Sequence, residues 1–189
     1  MPEEEVDLIL VEAREAMQKS IESLKRDLDR VRTGRANPAL LDGVQVDYYG
    51  TATPLKQLAT VQVPEPRLIT VQPFDRGALA EIERGILKAD LGLMPSNDGK
   101  LIRIPVPELT EERRRELVKQ VRKMGEEHKL GVRNARRDSV AMLKDLEHSG
   151  DLGEDESRTG QRKVQSLTDD SIAKLDALVK AKEEEILTI

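Results

Sequence analysis

Cysteine and tryptophan are absent from this 189-residue sequence, and so is any long apolar run. Without cysteine the chain can build neither a disulfide framework nor a thiolate metal site, which fits a reducing compartment. No apolar stretch approaches the roughly 20 residues that a membrane-spanning helix needs. The acidic start, Glu3 to Glu5, contains no apolar core of the signal-peptide type. We therefore expect a soluble, cytoplasmic protein that does not contact a membrane.

Catalytic motifs are missing as well. The two histidines, His128 and His148, are too far apart in sequence to suggest a metal site. The chain has no GxxxxGK[ST] loop, no GxGxxG turn and no nucleophile motif around a serine. Asp98-Gly99 fits a hairpin turn, and the carboxylates within 151–156 fit helix N-terminal capping better than a calcium loop. We expect no catalytic residue, no metal and no cofactor, so a partner must supply any nucleotide energy.

Three long segments show the apolar spacing of helices. They cover residues 3–31, 109–147 and the stretch from the turn at 148–153 to about residue 187. Thr110 is the expected N-cap of the second helix. Each segment has one apolar seam that must be buried against a neighbour, so together they predict an antiparallel three-helix bundle. The seam predicted for the second helix consists of Leu117, Val121, Met124, His128, Gly131, Ala135, Ser139, Met142 and Leu146.

The middle of the chain has a different character. Alternation of apolar and polar residues predicts short strands at 44–48, 60–63, 69–72 and 101–104, with a helix at 76–91. All prolines except Pro2 lie within residues 38–107, as do both tyrosines and the only phenylalanine. The sequence therefore predicts an α+β protein. An elongated bundle from 1–30 and 107–189 would carry a small inserted α/β, β-rich domain at 31–106.

The chain would cross between bundle and insert twice, at 30–34 and 104–108. Two parallel linkers resist separation but can bend, so we predict a hinge there. The segment Thr33-Gly34-Arg35 fits a binding loop and a helix stop with linker equally well. The predicted hinge residues are Arg30, Val31, Arg32, Gly34, Arg35, Ile104, Pro105, Val106 and Pro107.

The second helix is strongly basic on the side away from its seam. From Arg113 to Arg137 there are ten Lys or Arg and three Glu, although the whole chain has a net charge of −5. Such faces often serve only solubility, but a merely solvated face would mix charge signs. Arginine forks match phosphate oxygens, and this helix contains no aromatic ring for base stacking. The pattern favours binding to the backbone of structured RNA, with affinity that falls as salt rises.

Several motifs together resemble the bacterial ribosome recycling factors. They are residues 32–38 (RTGRANP), 47–50 (DYYG), 90–93 (DLGL), 109–114 (LTEERR), 132–138 (VRNARRD) and 167–169 (LTD). The resemblance extends along essentially the whole chain. Gly125, Gly131 and Gly160 depart from it, because relatives often carry Ala or another small residue at these helix-interior positions. Glycine costs about 1 kcal/mol relative to alanine in a helix interior. Ser171 is a further departure.

The resemblance implies a two-domain, L-shaped monomer that binds the post-termination ribosome. With elongation factor G, and GTP hydrolysis by that partner, it would split the ribosome into subunits for a new round of translation. Residues matching the family's arginine cluster, Arg133, Arg136 and Arg137, would contact large-subunit ribosomal RNA. Arg122 and Lys129 extend this predicted binding surface along the basic face.

Two other functions remain as alternatives from the residues alone. A helical adapter without an RNA partner would bind through apolar positions rather than through salt-sensitive charge. A hydrolase with an unrecognised site would need convergent polar residues in a pocket, and the sequence shows none. Salt dependence of binding distinguishes the first alternative from an RNA-binding protein.

Overall fold

A computed structural model describes residues 2–188 of the chain, without the side chain of Pro2. Helices are α1 (Pro2–Asp29), α2 (Leu55–Leu58), α3 (Leu79–Lys88), α4 (Glu111–Ser149) and α5 (Glu154–Leu187). Strands are β1 (Gln45–Tyr48), β2 (Thr51–Pro54), β3 (Ala59–Glu65), β4 (Leu68–Pro73), β5 (Ser96–Asn97) and β6 (Ile102–Pro105). Two short 3₁₀ turns, Pro38–Leu41 and Arg76–Ala78, complete the list of elements. The predicted α+β class is confirmed.

The chain divides into two compact units. The helical unit consists of Met1–Leu28 and Val118–Glu184, and the insert unit consists of Asp29–Leu117 and Glu185–Ile189. The boundaries differ from those expected from sequence, because residues 29–30, 107–117 and 185–189 were expected in the bundle but group with the insert unit. The same grouping places both predicted linkers, 30–34 and 104–108, inside the insert unit.

The long helices begin and end where the sequence indicates. Thr110 caps α4, since its Oγ1 accepts a hydrogen bond from the backbone N–H of Arg113 at 3.2 Å. Gly150, with φ +86°, follows the last turn of α4 in the left-handed conformation that glycine adopts readily. Before α5, the Glu156 carboxylate accepts a hydrogen bond from the Gly153 N–H at 3.0 Å. The predicted capping role of the 151–156 carboxylates is thus confirmed for Glu156.

The seam predicted for α4 is wrong at its C-terminal end. Met142 is 45% exposed, whereas Leu143 is fully buried. Val132 is also fully buried, although the prediction used its neighbour Gly131. The reason is that α4 packs against both α1 and α5, so its buried arc is wider than a single seam. His128, placed on the seam by the sequence, lies at the edge of this arc and contacts Asp27 of α1 at 2.8 Å.

Glycine lets the helices of this unit approach closely. A Cβ added at Gly125 of α4 would lie 2.6 Å from Cγ2 of Val179 on α5. A Cβ at Gly160 of α5 would lie 3.1 Å from both methyl carbons of Leu143. The neighbouring side chains leave no room for a Cβ at these positions. Glycine is therefore favoured by packing there, although it is a poor helix former.

The insert unit is built on an antiparallel sheet with the strand order β3-β4-β6-β5, beside the separate hairpin β1-β2. All four predicted strands and the α3 helix are confirmed within a few residues. Gly99, with φ +88°, closes the predicted turn between β5 and β6. Strands β2 and β5 and helix α2 were not predicted. The core contains mainly branched aliphatic side chains, among them Val44, Val46, Ile69, Val71, Ile82, Ile86, Ile102 and Ile104.

The predicted hinge residues differ in exposure within the insert unit. Val31, Gly34, Ile104 and Val106 are buried, as is the adjacent Thr33, while Arg30, Arg35, Pro105 and Pro107 are exposed and Arg32 is intermediate. The Thr33 hydroxyl donates a hydrogen bond to the Glu185 carboxylate at 3.1 Å. Gly34 has φ +80°, a conformation that a side chain would strain. Packing therefore fixes five of these ten residues, while four face solvent.

Candidate nucleic-acid interface

Three basic residues of α4 face α5 at intervals of seven residues: Arg122, Lys129 and Arg136. Two of them have carboxylate partners on α5. Arg122 contacts Glu183 through two hydrogen bonds, with Nε to Oε1 at 2.7 Å and Nη2 to Oε2 at 3.3 Å. Lys129 pairs with Asp176, again one heptad earlier along α5 because the helices are antiparallel. We refer to these contacts as the α4–α5 ladder.

Arg136, the third of these basic residues, contacts an amide instead of an acid. Arg136 Nη1 donates to the side-chain oxygen of Gln165 at 3.3 Å. The amide nitrogen of Gln165 in turn donates to Asp169 at 2.8 Å. Glu183, Asp176 and Asp169 are spaced seven residues apart on α5, so Asp169 is the acid expected to pair with Arg136. In the structure Asp169 accepts its hydrogen bond from Gln165. Arg136 therefore keeps a full positive charge with a neutral partner.

Ion pairing also affects the two compensated residues electrostatically. The hydrogen bond to Glu183 raises the pKa of Arg122 above its ordinary value. The pKa of Lys129 is raised as well, chiefly by its hydrogen bond to Asp176 and despite an opposing desolvation effect. Both groups are cationic at neutral pH, but nearby carboxylates cancel much of their field. Lys129 also contacts Glu126 at 3.0 Å, and its side chain is only 15% exposed.

Arg133 and Arg137 are exposed on the same side of α4 as Arg136. At about 100° per residue, the three guanidinium-bearing positions span an arc of about 100°. In the part of the chain that the structure describes, neither Arg133 nor Arg137 forms a hydrogen bond or an ion pair. We call Arg133, Arg136 and Arg137 the arginine surface. No acidic residue occurs between His128 and Arg137, and Asp138 is the first one after it.

The structure thus separates the five predicted RNA-binding residues into two groups. Arg133, Arg136 and Arg137 form a patch without carboxylate partners, while Arg122 and Lys129 belong to the ladder. The sequence could not show that difference, because it depends on which residues of α5 lie opposite α4. Gln165 is the residue that sequence reasoning missed. In the sequence, Gln165 is recognisable only as a neutral residue four positions before Asp169. The other residues of α5 that contact the basic series of α4, Asp176 and Glu183, are acidic.

Two further findings limit the chemistry available. Among residues 2–188, no group of three or more His, Cys, Asp or Glu is arranged to hold a metal ion. None of the helices described is long and apolar enough to cross a bilayer. The arginine surface is the main concentration of uncompensated positive charge on α4.

Comparison with known proteins points to one family. The family model for ribosome recycling factor matches residues 24–187. The chain is 54% identical to a ribosome-recycling factor of Natranaerobius thermophilus, and the match covers 96% of this chain and 98% of that protein. It is 52% identical to the one of Bacillus subtilis, with 96% and 98% covered.

Solved structures give the same result. The solution structure of a ribosome recycling factor, 40% identical, superposes with a TM-score of 0.79 and covers 98% of each chain. A second neighbour, 47% identical with a TM-score of 0.67, covers 96% of this chain and 98% of its own. That neighbour comes from a study of the T. thermophilus ribosome recycling factor and E. coli elongation factor G bound to the E. coli post-termination complex.

Proposed function

The chain belongs to the ribosome recycling factor family, and on this premise we propose that its arginine surface binds large-subunit ribosomal RNA. Its function is to promote, with elongation factor G, the dissociation of the post-termination ribosome into subunits. The observation that supports the RNA contact is the unpaired state of Arg133 and Arg137 beside an Arg136 whose partner is neutral.

Phosphate binding suits this surface because no carboxylate has to be displaced first. An arginine already paired with a carboxylate must give up that pair before it binds RNA, which reduces the net gain. Arginine forks can bind phosphate oxygens bidentately, and clustered cations release counterions from the RNA. The helix scaffold fixes the spacing of the three guanidinium groups, so the patch is suited to a folded RNA of defined shape.

Arg122 and Lys129 have different parts in this proposal. The Arg122 side chain is 66% exposed, and exposed ion pairs contribute little to stability, about 0–1 kcal/mol. Arg122 can therefore exchange Glu183 for a phosphate at the edge of the interface. Lys129 is largely covered and contacts both Glu126 and Asp176. Its main role is to align α4 with α5.

The protein acts without chemistry of its own in this proposal. GTP hydrolysis by elongation factor G supplies the free energy, and this chain converts the partner's motion into subunit separation. The linkers at 30–34 and 104–108 would bend during that step. A disulfide engineered between them, at a pair of positions with Cα atoms within about 7 Å, should preserve ribosome binding and block splitting. Normal splitting by the oxidised protein would contradict the hinge. A cytoplasmic location follows from this function.

The insert unit offers a surface suited to a protein. Tyr49 is 84% exposed and Phe74 is 70% exposed. Tyr48 connects them, since its ring lies 4.6 Å from that of Tyr49 and its hydroxyl donates to Asp75, the neighbour of Phe74, at 3.2 Å. Exposed aromatic rings are enriched at protein interfaces, and the adjacent carboxylate disfavours RNA phosphate. We therefore assign elongation factor G, rather than RNA, to this aromatic surface.

The experiment is sedimentation with purified large ribosomal subunits at two salt concentrations. Replacing Arg133, Arg136 and Arg137 together by Ala should lower the affinity by roughly 100-fold and reduce its salt dependence, because about three phosphate contacts are lost. Arg14→Ala is the matched control, since Arg14 is an exposed arginine of α1 in the same unit. Far-ultraviolet circular dichroism should show an unchanged helix content. Equal affinities of the triple variant and the control would overturn the RNA contact.

A further inference from the structure

We propose that phosphate binding continues from α4 onto α5, in a groove lined by Arg158, Gln161, Arg162 and Gln165, and that Gln165 holds Arg136 at the junction. This inference rests on the proposed function, because it names a second part of the same RNA-binding surface. The motifs that resemble the family do not include these four residues. The groove would enlarge the arginine surface from one helix to two.

The groove is a shallow depression of about 420 Å³, and these four side chains line it. Arg158, Arg162 and Gln165 lie four and three residues apart, so they form one stripe along α5. Residues 157–168 include three basic residues and no acidic one. A stripe of this composition can bind anions without competition from a carboxylate inside it.

The charges around the groove are unevenly compensated. Arg162 is exposed and, within the described part of the chain, forms no hydrogen bond or ion pair. Arg158 pairs with Glu154 at 2.5 Å, but both side chains are largely exposed, so solvent screens this contact. Asp169 is the first acidic residue after Arg162 along α5, and it accepts a hydrogen bond from Gln165. Arg162 is therefore the strongest phosphate ligand in the groove.

Gln165 connects the groove with the arginine surface. Its amide oxygen accepts from Arg136 of α4, and its amide nitrogen donates to Asp169 of α5. One neutral side chain thus contacts Arg136 and also binds the Asp169 carboxylate. Glutamate at this position would add a third ion pair to the α4–α5 ladder and cancel the charge of Arg136. Gln165 is accordingly a positioning residue for RNA binding.

Two variants test the groove with purified large subunits as the probe. Gln165→Glu should weaken binding by about tenfold and lower the slope of log affinity against log salt by about one, since one phosphate contact is lost. Arg162→Gln should weaken binding by about three- to tenfold, with a similar change in slope. A purely structural role of either residue would change thermal stability but would leave the salt slope unchanged.

Gln18→Glu provides a matched control for the added charge. Gln18 lies on α1 and donates to Glu22 four residues later, as Gln165 does to Asp169. This control should bind like the wild type. If Gln165→Glu and Arg162→Gln also bind like the wild type while the triple arginine variant fails, the groove is wrong and the proposed function stands. If the triple variant binds normally as well, both proposals are overturned.

Discussion

The helical unit and the insert unit present opposite kinds of surface. The helical unit contains no aromatic residue and exposes a patch of arginines without acidic partners. The insert unit contains all three aromatic residues and exposes two of them. Charge of one sign suits a polyanion, whereas exposed rings suit a protein surface. The difference teaches that two partners of different chemistry can be recognised by one chain, each by its own unit.

The cores differ as well. The insert unit is filled by branched aliphatic side chains. In the helical unit, polar residues such as Ser139 and Thr168 are buried, and each hydroxyl donates to the carbonyl four residues earlier in its helix. Glycines at the helix contacts replace large side chains there. The helical unit therefore depends on close approach of its helices more than on the volume of its core residues.

The largest expected effect tests whether the two cores are separate. Leu143→Ala should cost about 2–5 kcal/mol, because Leu143 is fully buried and its loss leaves a cavity. Both tyrosines lie in the insert unit, so tyrosine fluorescence reports on that unit, while ellipticity at 222 nm reports mainly on the long helices. We expect the ellipticity transition to move to lower temperature and the tyrosine transition to move less. Ile102→Ala, in the insert core, should show the reverse; equal shifts of both signals would mean one cooperative unit.

The second prediction sharpens the contrast between the two surfaces. Tyr49→Ser combined with Phe74→Ser should reduce subunit splitting with elongation factor G by about tenfold, the order expected for losing two aromatic contacts. Large-subunit affinity in the absence of that factor should not change. Leu8→Ser with Val11→Ser, which also removes exposed apolar groups but from α1, is the control. A loss of large-subunit affinity in the aromatic variant would contradict the assignment of partners.

A smaller effect concerns the close approach of helices. Gly125→Ala should destabilise the protein by about 1–2 kcal/mol, although alanine is the better helix former by about 1 kcal/mol. The reason is the contact of 2.6 Å that its Cβ would make with Val179. Denaturant titration measures the change. Stabilisation would show that α5 can move away at no cost, and Gly125→Ala with Val179→Ala should recover the loss.

The smallest effect is a pH dependence in the insert unit. Burial and the hydrogen bond to Asp75 raise the pKa of Tyr48 above its ordinary value of 10.0. Because the pKa is raised in the folded state, the stabilising contribution of the Tyr48 hydroxyl is complete below pH 10. It is lost as the pH rises through the folded-state pKa. The difference in stability between wild type and Tyr48→Phe should therefore be constant from pH 7 to 9 and shrink in alkali. A difference that grows in alkali would contradict this sign.

Much of the fold could be predicted from residue periodicity alone. Runs such as Ala13, Met17, Ile21, Leu24 and Leu28 fix the buried face of α1, and all five are buried. The buried face of α4 was harder to predict, because this helix packs against two neighbours. Val132 is buried more completely than Gly131, and Leu143 is buried instead of Met142. Strand β5, with only two residues, leaves no periodic signal.

The candidate site shows the same limit. Arginine density on α4 pointed to Arg133, Arg136 and Arg137 without any coordinates. The pairing of Arg122 with Glu183 and the role of Gln165 depend on the register between two helices that are joined by a turn but meet along their length. Sequence spacing within one helix carries no information about that register. A search for ladders across predicted neighbouring helices could have identified Gln165.

The register of the α4–α5 ladder also determines which basic residues of α4 keep a charge without a carboxylate partner. If α5 slid by seven residues toward the C-terminal end of α4, Asp176 would come to lie opposite Arg136, and Glu183 opposite Lys129. The helices could still form two ion pairs, but a carboxylate would then compensate the charge of Arg136, and Arg122 would lose its partner. The observed register therefore leaves Arg136 beside Arg133 and Arg137 without a carboxylate, whereas a sliding error in assembly would produce a folded protein whose uncompensated arginines are distributed differently along α4.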